Sequence, residues 1–329
     1  MLKMNNLVIF FCVSFILSFF FLILFRRVCL RFNLCKKNKE SPFIGGLCFS
    51  LVFVISYSLY NAASLVNLLP QIIWVLLFSF LLLVVEFIDD LKEFPLKIRV
   101  IIQIIFIFLF LLYGKKIQIY FLPSWINYLL SFLWIMGLTN AFNLLDIGDG
   151  LCGGVSLIAS LAFFTVAIIN GDLLMAGLFV TLSGAVFAFV LFNLPPARVF
   201  MGNSGSHFLG FLFATLSMYG DYATLKNPLP LILPLLILAF PIIDTIYLII
   251  SRIKKGIAPL RKSDDHIFLR MLSLGYNIKK SLLSIYLVNF LWGLSGIFII
   301  FGFSPLFLIT LVLAILFTLK IIIRSAPSH

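Results

Sequence analysis

Charge is scarce in this sequence. Only 11% of its residues are charged, while 63% are hydrophobic and the mean hydropathy is +1.19; ordinary soluble domains carry about 25% charged residues. A water-soluble surface cannot be made from that mixture. Acidic side chains number 12 and histidines three, so any chemistry that needs ionisable groups draws on few of them. The five cysteines, Cys12, Cys29, Cys35, Cys48 and Cys152, show no CxxC or paired spacing, which argues against a disulfide framework or a zinc site. The first apolar run, Leu7–Phe25, ends at Arg26-Arg27 and lacks a small-residue cleavage site, so it reads as an uncleaved span and not as a removed signal peptide.

What is abundant is apolar chain in long runs, with 39 Phe among 329 residues. Helices satisfy their own backbone hydrogen bonds in lipid, and each crossing needs about 20 apolar residues. Eleven spans are expected, at roughly 6–25, 43–61, 70–88, 98–113, 123–140, 151–169, 172–192, 205–220, 229–251, 281–301 and 304–323. The fourth is short, and the second opens on Gly45-Gly46. The expected fold is all-α: one polytopic membrane helix bundle over residues 1–329.

The basic residues follow that topology. Lys3, Lys115, Lys116 and Lys226 fall on one side, and the other twenty of the 24 Lys and Arg on the opposite side. The positive-inside rule makes the richer side cytoplasmic, with the N-terminus outside and the C-terminus inside; Lys115-Lys116 runs against it. The net charge of +12 therefore sets orientation and gives no reason to expect nucleic acid. The ninth loop could also attract anionic lipid head groups.

Ten of the twelve acidic residues lie on or border the basic side, Asp172 and Asp221 being the exceptions. Four polar clusters meet there, in loops at about 86–99, 140–154, 193–206 and 251–280. The first reads EFIDDLKEFPLKIRVIIQ and holds Asp89-Asp90 where a span leaves the membrane. Adjacent carboxylates repel unless a cation compensates, although a solvated loop would look the same. The second reads NAFNLLDIGDGLCGG and has no Lys or Arg. Its Asn140, Asn143, Asp146 and Asp149 recur every three residues, a spacing that gathers side chains on one face of a helix or tight turn. Oxygen-rich groups of this kind suit Mg²⁺ or sugar hydroxyls; a turn with a helix cap is the plainer alternative. The third reads NLPPARVFMGNSGSHFLG. Small residues at a helix start offer N–H groups to a phosphate, or Ser204 or Ser206 simply caps the helix; without Lys it is not a Walker A loop. The fourth is rich in Arg and Lys and holds Asp264, Asp265 and His266, while Asp244 sits within the apolar PIIDT run before it. Ionisable groups at such depth are functional candidates.

In this order and spacing, from PFIGGL at Pro42–Leu47 to the ninth loop, the clusters resemble the polyprenyl-phosphate N-acetylhexosamine-1-phosphate transferases, a group related to the phospho-N-acetylmuramoyl-pentapeptide transferases. The resemblance implies a membrane enzyme in a bacterial plasma membrane with a cytoplasmic active site, transferring an N-acetylhexosamine-1-phosphate from a UDP-sugar to a polyprenyl phosphate such as undecaprenyl phosphate. UMP is released, and the product starts a cell-envelope glycan such as lipopolysaccharide or a wall polymer. It implies Mg²⁺ or Mn²⁺, contact with membrane lipids and a homodimer. Carried over by residue, Asp89, Asp90 and Asp149 are catalytic. Asn140, Asn143, Asp146, Gly202, Ser206, Asp244, Arg252, Asp265 and His266 bind substrate, and Asn143 and Asn203 hold the metal.

Three departures qualify the carry-over. Asn203 stands where the resembling proteins have a metal-binding Asp. The second cluster reads Asp146-Ile147-Gly148-Asp149-Gly150, with its glycine displaced by one. The histidine motif keeps only His266, followed by Ile-Phe-Leu-Arg. These leave open a homologue that binds lipid phosphate or nucleotide sugar without turnover. A transporter is the remaining alternative, although transporters carry polar groups at the midplane of several helices.

Overall fold

The computed structural model describes residues 2–34, 41–64, 70–220, 222, 228–256 and 265–325. Lys36, Lys37, Lys39, Asp221, Lys226, Arg261, Lys262 and Asp264, used above in reading topology and motifs, lie outside the described residues. The described chain forms α1 (Leu2–Phe32), α2 (Gly45–Ser64), α3 (Pro70–Lys92), α4 (Leu96–Tyr113), α5 (Ser124–Leu145), α6 (Leu151–Ile169), α7 (Leu173–Asn193), α8 (Gly202–Leu216), α9 (Leu233–Ile237), α10 (Ala239–Lys254), α11 (Ile267–Ser273), α12 (Ile278–Phe298) and α13 (Pro305–Ser325). Nine of these are long and apolar enough to cross a membrane, with a bent pair as a tenth. The protein is a multi-pass membrane helix bundle, as expected. The two spans that looked weakest in sequence, α2 and α4, are full helices of 20 and 18 residues.

Two expected spans take other forms. The ninth is broken: a 3-10 turn (Leu229–Ile232) with α9 meets α10 at 69°. Pro241 lies just past the break and has no N–H to bond Ile237, and its ring crowds that carbonyl, so a straight helix cannot run through. The eighth, α8, has only 15 residues, and all but Asn203 are buried. At 1.5 Å per residue it is shorter than the roughly 30 Å hydrocarbon core. Turns carry it on to Tyr219, whose hydroxyl accepts the Lys115 N–H beyond the far end of α4, so it crosses the bundle as an internal helix with no lipid-facing side.

Packing follows from that. α8 contacts α2, α3 and α5, while α7 packs against α1, α2 and α6. The outer helices turn large apolar side chains outward, among them Phe20, Ile101, Phe108 and Leu316, as lipid requires. Where helices approach closely, small residues let them: Ser14 and Ser18 of α1 donate to the carbonyls of Thr181 and Ala185 on α7 at 2.7 and 3.0 Å. Such contacts replace the hydrophobic drive that lipid cannot supply.

The segment before α2 fixes the start of α8. Phe200 N–H donates to the Pro42 carbonyl, and Gly45 and Gly46 N–H donate to those of Phe200 and Met201, each at 2.9 Å. At the crossing a β-carbon on Gly46 would stand 2.3 Å from the α-carbon of Gly205, and one on Gly205 would stand 2.5 Å from that of Gly46. Backbone cannot yield as a side chain can. Gly205→Ala should therefore lower the melting temperature in detergent by an amount equivalent to about 1–3 kcal/mol, the usual range for overpacking. Gly137→Ala, where a β-carbon meets nothing within 4 Å, should leave it unchanged or raise it. Equal melting temperatures for Gly205→Ala and wild type would show that the crossing is looser than described.

Candidate active site

α3 ends, and α8 begins, at the same end of the bundle, and the two meet through Asp90. Its carboxylate accepts the N–H groups of Asn203 at 2.9 Å and Ser204 at 3.0 Å. An anion at a helix N-terminus is stabilised by the unpaired N–H groups and the macrodipole. The expectation that these N–H groups wait for a phosphate is corrected here, because the protein's own carboxylate takes them. Neither serine caps the helix: Ser204 Oγ has no partner and Ser206 Oγ bonds back to the carbonyls of Gly202 and Asn203. Gly202 makes the approach possible. It has φ +79°, and a β-carbon there would lie 2.7 Å from Asp90 Oδ2.

Asp89, one residue earlier, is 2% exposed. Oδ1 accepts Phe94 N–H at 2.6 Å, and Oδ2 has longer contacts with Arg99 and with Asn203 Nδ2, both at 3.4 Å. With its nitrogen toward Asp89, Asn203 turns Oδ1 to Asn143 Nδ2 at 3.2 Å; the same nitrogen reaches Ser206 Oγ at 3.2 Å. The carboxylate thus sets the polarity of a chain running from Asn143 to Asn203 to Asp89, and leaves Asn143 Oδ1 outside these contacts. Asp89, Asn143 and Asn203 form an oxygen-rich donor set with one carboxylate. Mg²⁺ is commonly held by one or two carboxylates with substrate phosphates and water, so these residues fit it. Among the described residues no group of three or more His, Cys, Asp or Glu could hold a metal.

Behind this chain lies a polar layer that the sequence reading did not single out. Glu86, one turn before Asp89, is 1% exposed and His207 is 2% exposed. Glu86 Oε2 stands 3.4 Å from His207 Nδ1, and Oε1 receives Gln103 Nε2 at 3.4 Å. Gln103 Oε1 in turn accepts Asn140 Nδ2 at 3.1 Å. Glu86 and Gln103 are polar groups inside apolar helical runs, a signal that would have found them, whereas His207 directly follows the polar Gly-Asn-Ser-Gly-Ser stretch.

The four Asn and Asp at three-residue spacing do not share one partner. α5 runs on to Leu145, so Asn140 and Asn143 are helical and reach α4 and α8 respectively. Asp146 is the residue that ends α5. Asp149 lies in the following turn, where Oδ2 accepts Ala197 N–H at 2.9 Å. Gly150, at φ +80°, donates its N–H to Asn193 Oδ1 and accepts Tyr286 Oη at 2.9 and 2.6 Å. The second and third motif loops are thus tied together.

A second cluster forms around α10 and α11. Asp244 accepts His266 Nδ1 and Ile267 N–H, both at 2.9 Å, so it orients the histidine and caps α11 at once. Asp265 accepts Arg270 at 2.8 Å and Lys255 as well. Burial alone would push its pKa up, but the bonds from Arg270 and Lys255 win and hold its carboxyl well below the usual carboxylate range. Arg270 also donates to Tyr247 Oη and Ser251 Oγ at 2.6 and 2.8 Å. Arg252 is buried in the last turn of α10. The side chain of Phe268 packs on Gly148, where a β-carbon would meet its ring at 2.3 Å, and so joins this cluster to the Asp146–Asp149 turn. All the site residues read from sequence therefore lie at one end of the bundle, in two groups bridged by that turn.

Residues 72–221 match glycosyl transferase family 4. Over 229 residues the chain is 33% identical to a probable undecaprenyl-phosphate N-acetylglucosaminyl 1-phosphate transferase of Bacillus subtilis, covering 67% of this chain and 63% of the relative. It is 30% identical over 221 residues to a decaprenyl-phosphate N-acetylglucosaminephosphotransferase of Mycolicibacterium smegmatis, covering 60% of this chain and 54% of that one. It is also 28% identical over 257 residues to an undecaprenyl-phosphate alpha-N-acetylglucosaminyl 1-phosphate transferase of Thermotoga maritima, covering 76% and 78%. The chain spans under two thirds of the length of the first two relatives. The match over residues 72–221 takes in the carboxylate pair, both asparagines and the glycine-rich start of α8.

Proposed function

We propose that this chain transfers an N-acetylhexosamine-1-phosphate from a UDP-sugar to a polyprenyl phosphate on the cytoplasmic face of a bacterial plasma membrane. An oxygen of the lipid phosphate attacks the sugar-bearing phosphorus of the donor. The bond from that phosphorus to the bridging oxygen breaks, and UMP leaves with the electron pair. A phosphomonoester is largely dianionic at neutral pH, so the acceptor needs placement more than deprotonation. Positioning and charge neutralisation dominate in phosphoryl transfer.

The observation that carries this reading is the Asn143–Asn203–Asp89 chain at the bundle end, joined through the Gly148 turn to the second cluster with its buried Arg252. Asn143, Asn203 and Asp89 would hold Mg²⁺ or Mn²⁺, which supplies charge neutralisation to the diphosphate. Asp89 orients the acceptor phosphate, while Asp90 keeps α8 in register and Asp149 fixes the turn against Ala197. Arg252 and His266, the latter aimed by Asp244, face the donor's phosphates and sugar.

The acceptor's tail also has a place. A groove of about 750 Å³ runs between α5 and α10, lined by Leu133, Leu138, Ala141, Ile242 and Ile246 and reaching Lys115 and Lys116 at its far end. Leu133 and Ile246 are exposed, so the groove opens sideways to lipid. Thr245, also on its wall, adjoins Asp244, so a prenyl chain lying there would end at the polar clusters.

One contact favours a second reading. Asn203 donates to Asp89, where a carboxylate would have needed a cation to relieve repulsion. A protein so arranged holds its site together without metal, as a binding homologue without turnover would.

UMP release by purified protein separates the two. Supplied with polyprenyl phosphate and a panel of UDP-N-acetylhexosamines, the transferase should release UMP only with both substrates, and EDTA should stop it. Binding of the nucleotide sugar with no UMP from any donor would select the homologue without turnover. Asp89→Asn and Asp149→Asn should each abolish transfer while eluting as folded protein; full activity in both would sink the residue assignments. Asn203→Asp, which adds a charge to the donor set, should lower the Mg²⁺ concentration for half-maximal rate about tenfold, equivalent to about 1.4 kcal/mol. An unchanged metal requirement would remove Asn203 from the metal site.

A further inference from the structure

Three groups compete for one ring nitrogen of His207. Nδ1 lies 2.9 Å from the carbonyl oxygen of Asn203, 3.4 Å from Glu86 Oε2 and 3.3 Å from Asn143 Nδ2. The first two are acceptors and the third is a donor. Asn143 Nδ2 already has Asn203 Oδ1 and Ser206 Oγ for its two hydrogens. Glu86 Oε2 is buried and has no hydrogen-bond partner unless Nδ1 provides one. A proton on Nδ1 satisfies both acceptors, and a bare Nδ1 leaves a buried carboxylate oxygen facing a lone pair, which is costly. The proton therefore sits on Nδ1.

We propose that His207, backed by Glu86, is a positioning residue for the transfer reaction, holding the Asn143–Asn203 pair in the orientation that serves the donor diphosphate. This rests on the transferase reading above. His207 touches neither metal nor substrate. Its Nδ1–H fixes the first turn of α8 through the Asn203 carbonyl, and by occupying that place it directs the Asn143 amide nitrogen to Asn203 Oδ1 and Ser206. Asn143 Oδ1 is thereby kept for the ligand. Without the ring N–H, Asn143 Nδ2 would be free to turn toward Glu86, and the polarity of the amide chain would be lost. Groups that orient metal-site ligands are worth about 10–100-fold in affinity or activity.

The geometry supplies a matched set of variants. Asparagine places an N–H close to where His207 Nδ1 carries its own, and leucine places none. His207→Leu should lower kcat about tenfold or more and raise the Mg²⁺ needed for half-maximal rate, with little change in KM for polyprenyl phosphate, and His207→Asn should recover most of the loss. Glu86→Leu/His207→Leu removes the orphaned carboxylate together with its partner, a change that can be nearly neutral for stability. It should regain the melting temperature lost in His207→Leu but not the kcat. Nitrogen-15 labelling of histidine should show the His207 ring protonated at Nδ1 in the ligand-free protein. If the double variant regains wild-type kcat, or His207→Leu keeps it, or the ring proton sits on Nε2 alone, His207 is a structural residue and the proposal falls. A wild-type protein that releases no UMP fails the transferase reading itself, and the labelling result still decides where the proton sits.

Discussion

A carboxylate taken into a helix bundle surrounded by lipid has no water to turn to, and in this protein Asp89, Asp90, Asp149 and Asp244 are each met by a donor fixed in the backbone. Burying an unpaired charge costs far more than the protein's net stability can bear. Asp90 therefore ends on the first N–H groups of α8, Asp244 on the first N–H of α11, Asp149 on Ala197 and Asp89 on Phe94. These bonds also determine where the motif loops sit. The carboxylates thereby assemble the site before any ligand arrives, which is what phosphoryl transfer by positioning requires.

α8 is the element on which these contacts converge. It is short and buried on every side, wedged between α2, α3 and α5 by Gly46, Gly205 and Gly202 at points where no β-carbon fits. Its first two turns present Asn203, Ser206 and His207 to α3 and α5. A substitution at Gly205 and one at His207 therefore act on the same helix by different means: one moves its backbone, the other reorients amides along it.

Much of this was legible in the sequence, for definite reasons. The spans stood out because lipid demands uninterrupted apolar helix, and the motif loops because polar residues are few enough to be conspicuous. What was not legible depends on contacts between distant segments. That Asp90 takes the N–H groups expected to wait for phosphate follows only when the end of α3 meets residues 203 and 204. The three-residue spacing of Asn140, Asn143, Asp146 and Asp149 promised one face, but the helix stops at Leu145, and Asn140, Asn143 and Asp149 diverge to separate partners. Hydropathy could not tell that the crossing at 205–220 is buried on every side and not lipid-facing. Glu86 and Gln103 carried a readable signal, polarity inside an apolar run, that was outweighed by the more crowded loops beside them.

The central claim is that Asp89, Asn203 and Asn143 form the place where cation and donor diphosphate meet, with the Asp244–His266 cluster reaching the sugar end. The most direct measurement is a structure of the protein with a UDP-N-acetylhexosamine and Mn²⁺, located by its anomalous signal. A manganese peak beside Asn143 and Asp89, with the diphosphate between it and His266, is the predicted result. A peak elsewhere, or nucleotide bound away from the asparagine pair, would contradict the placement of the site.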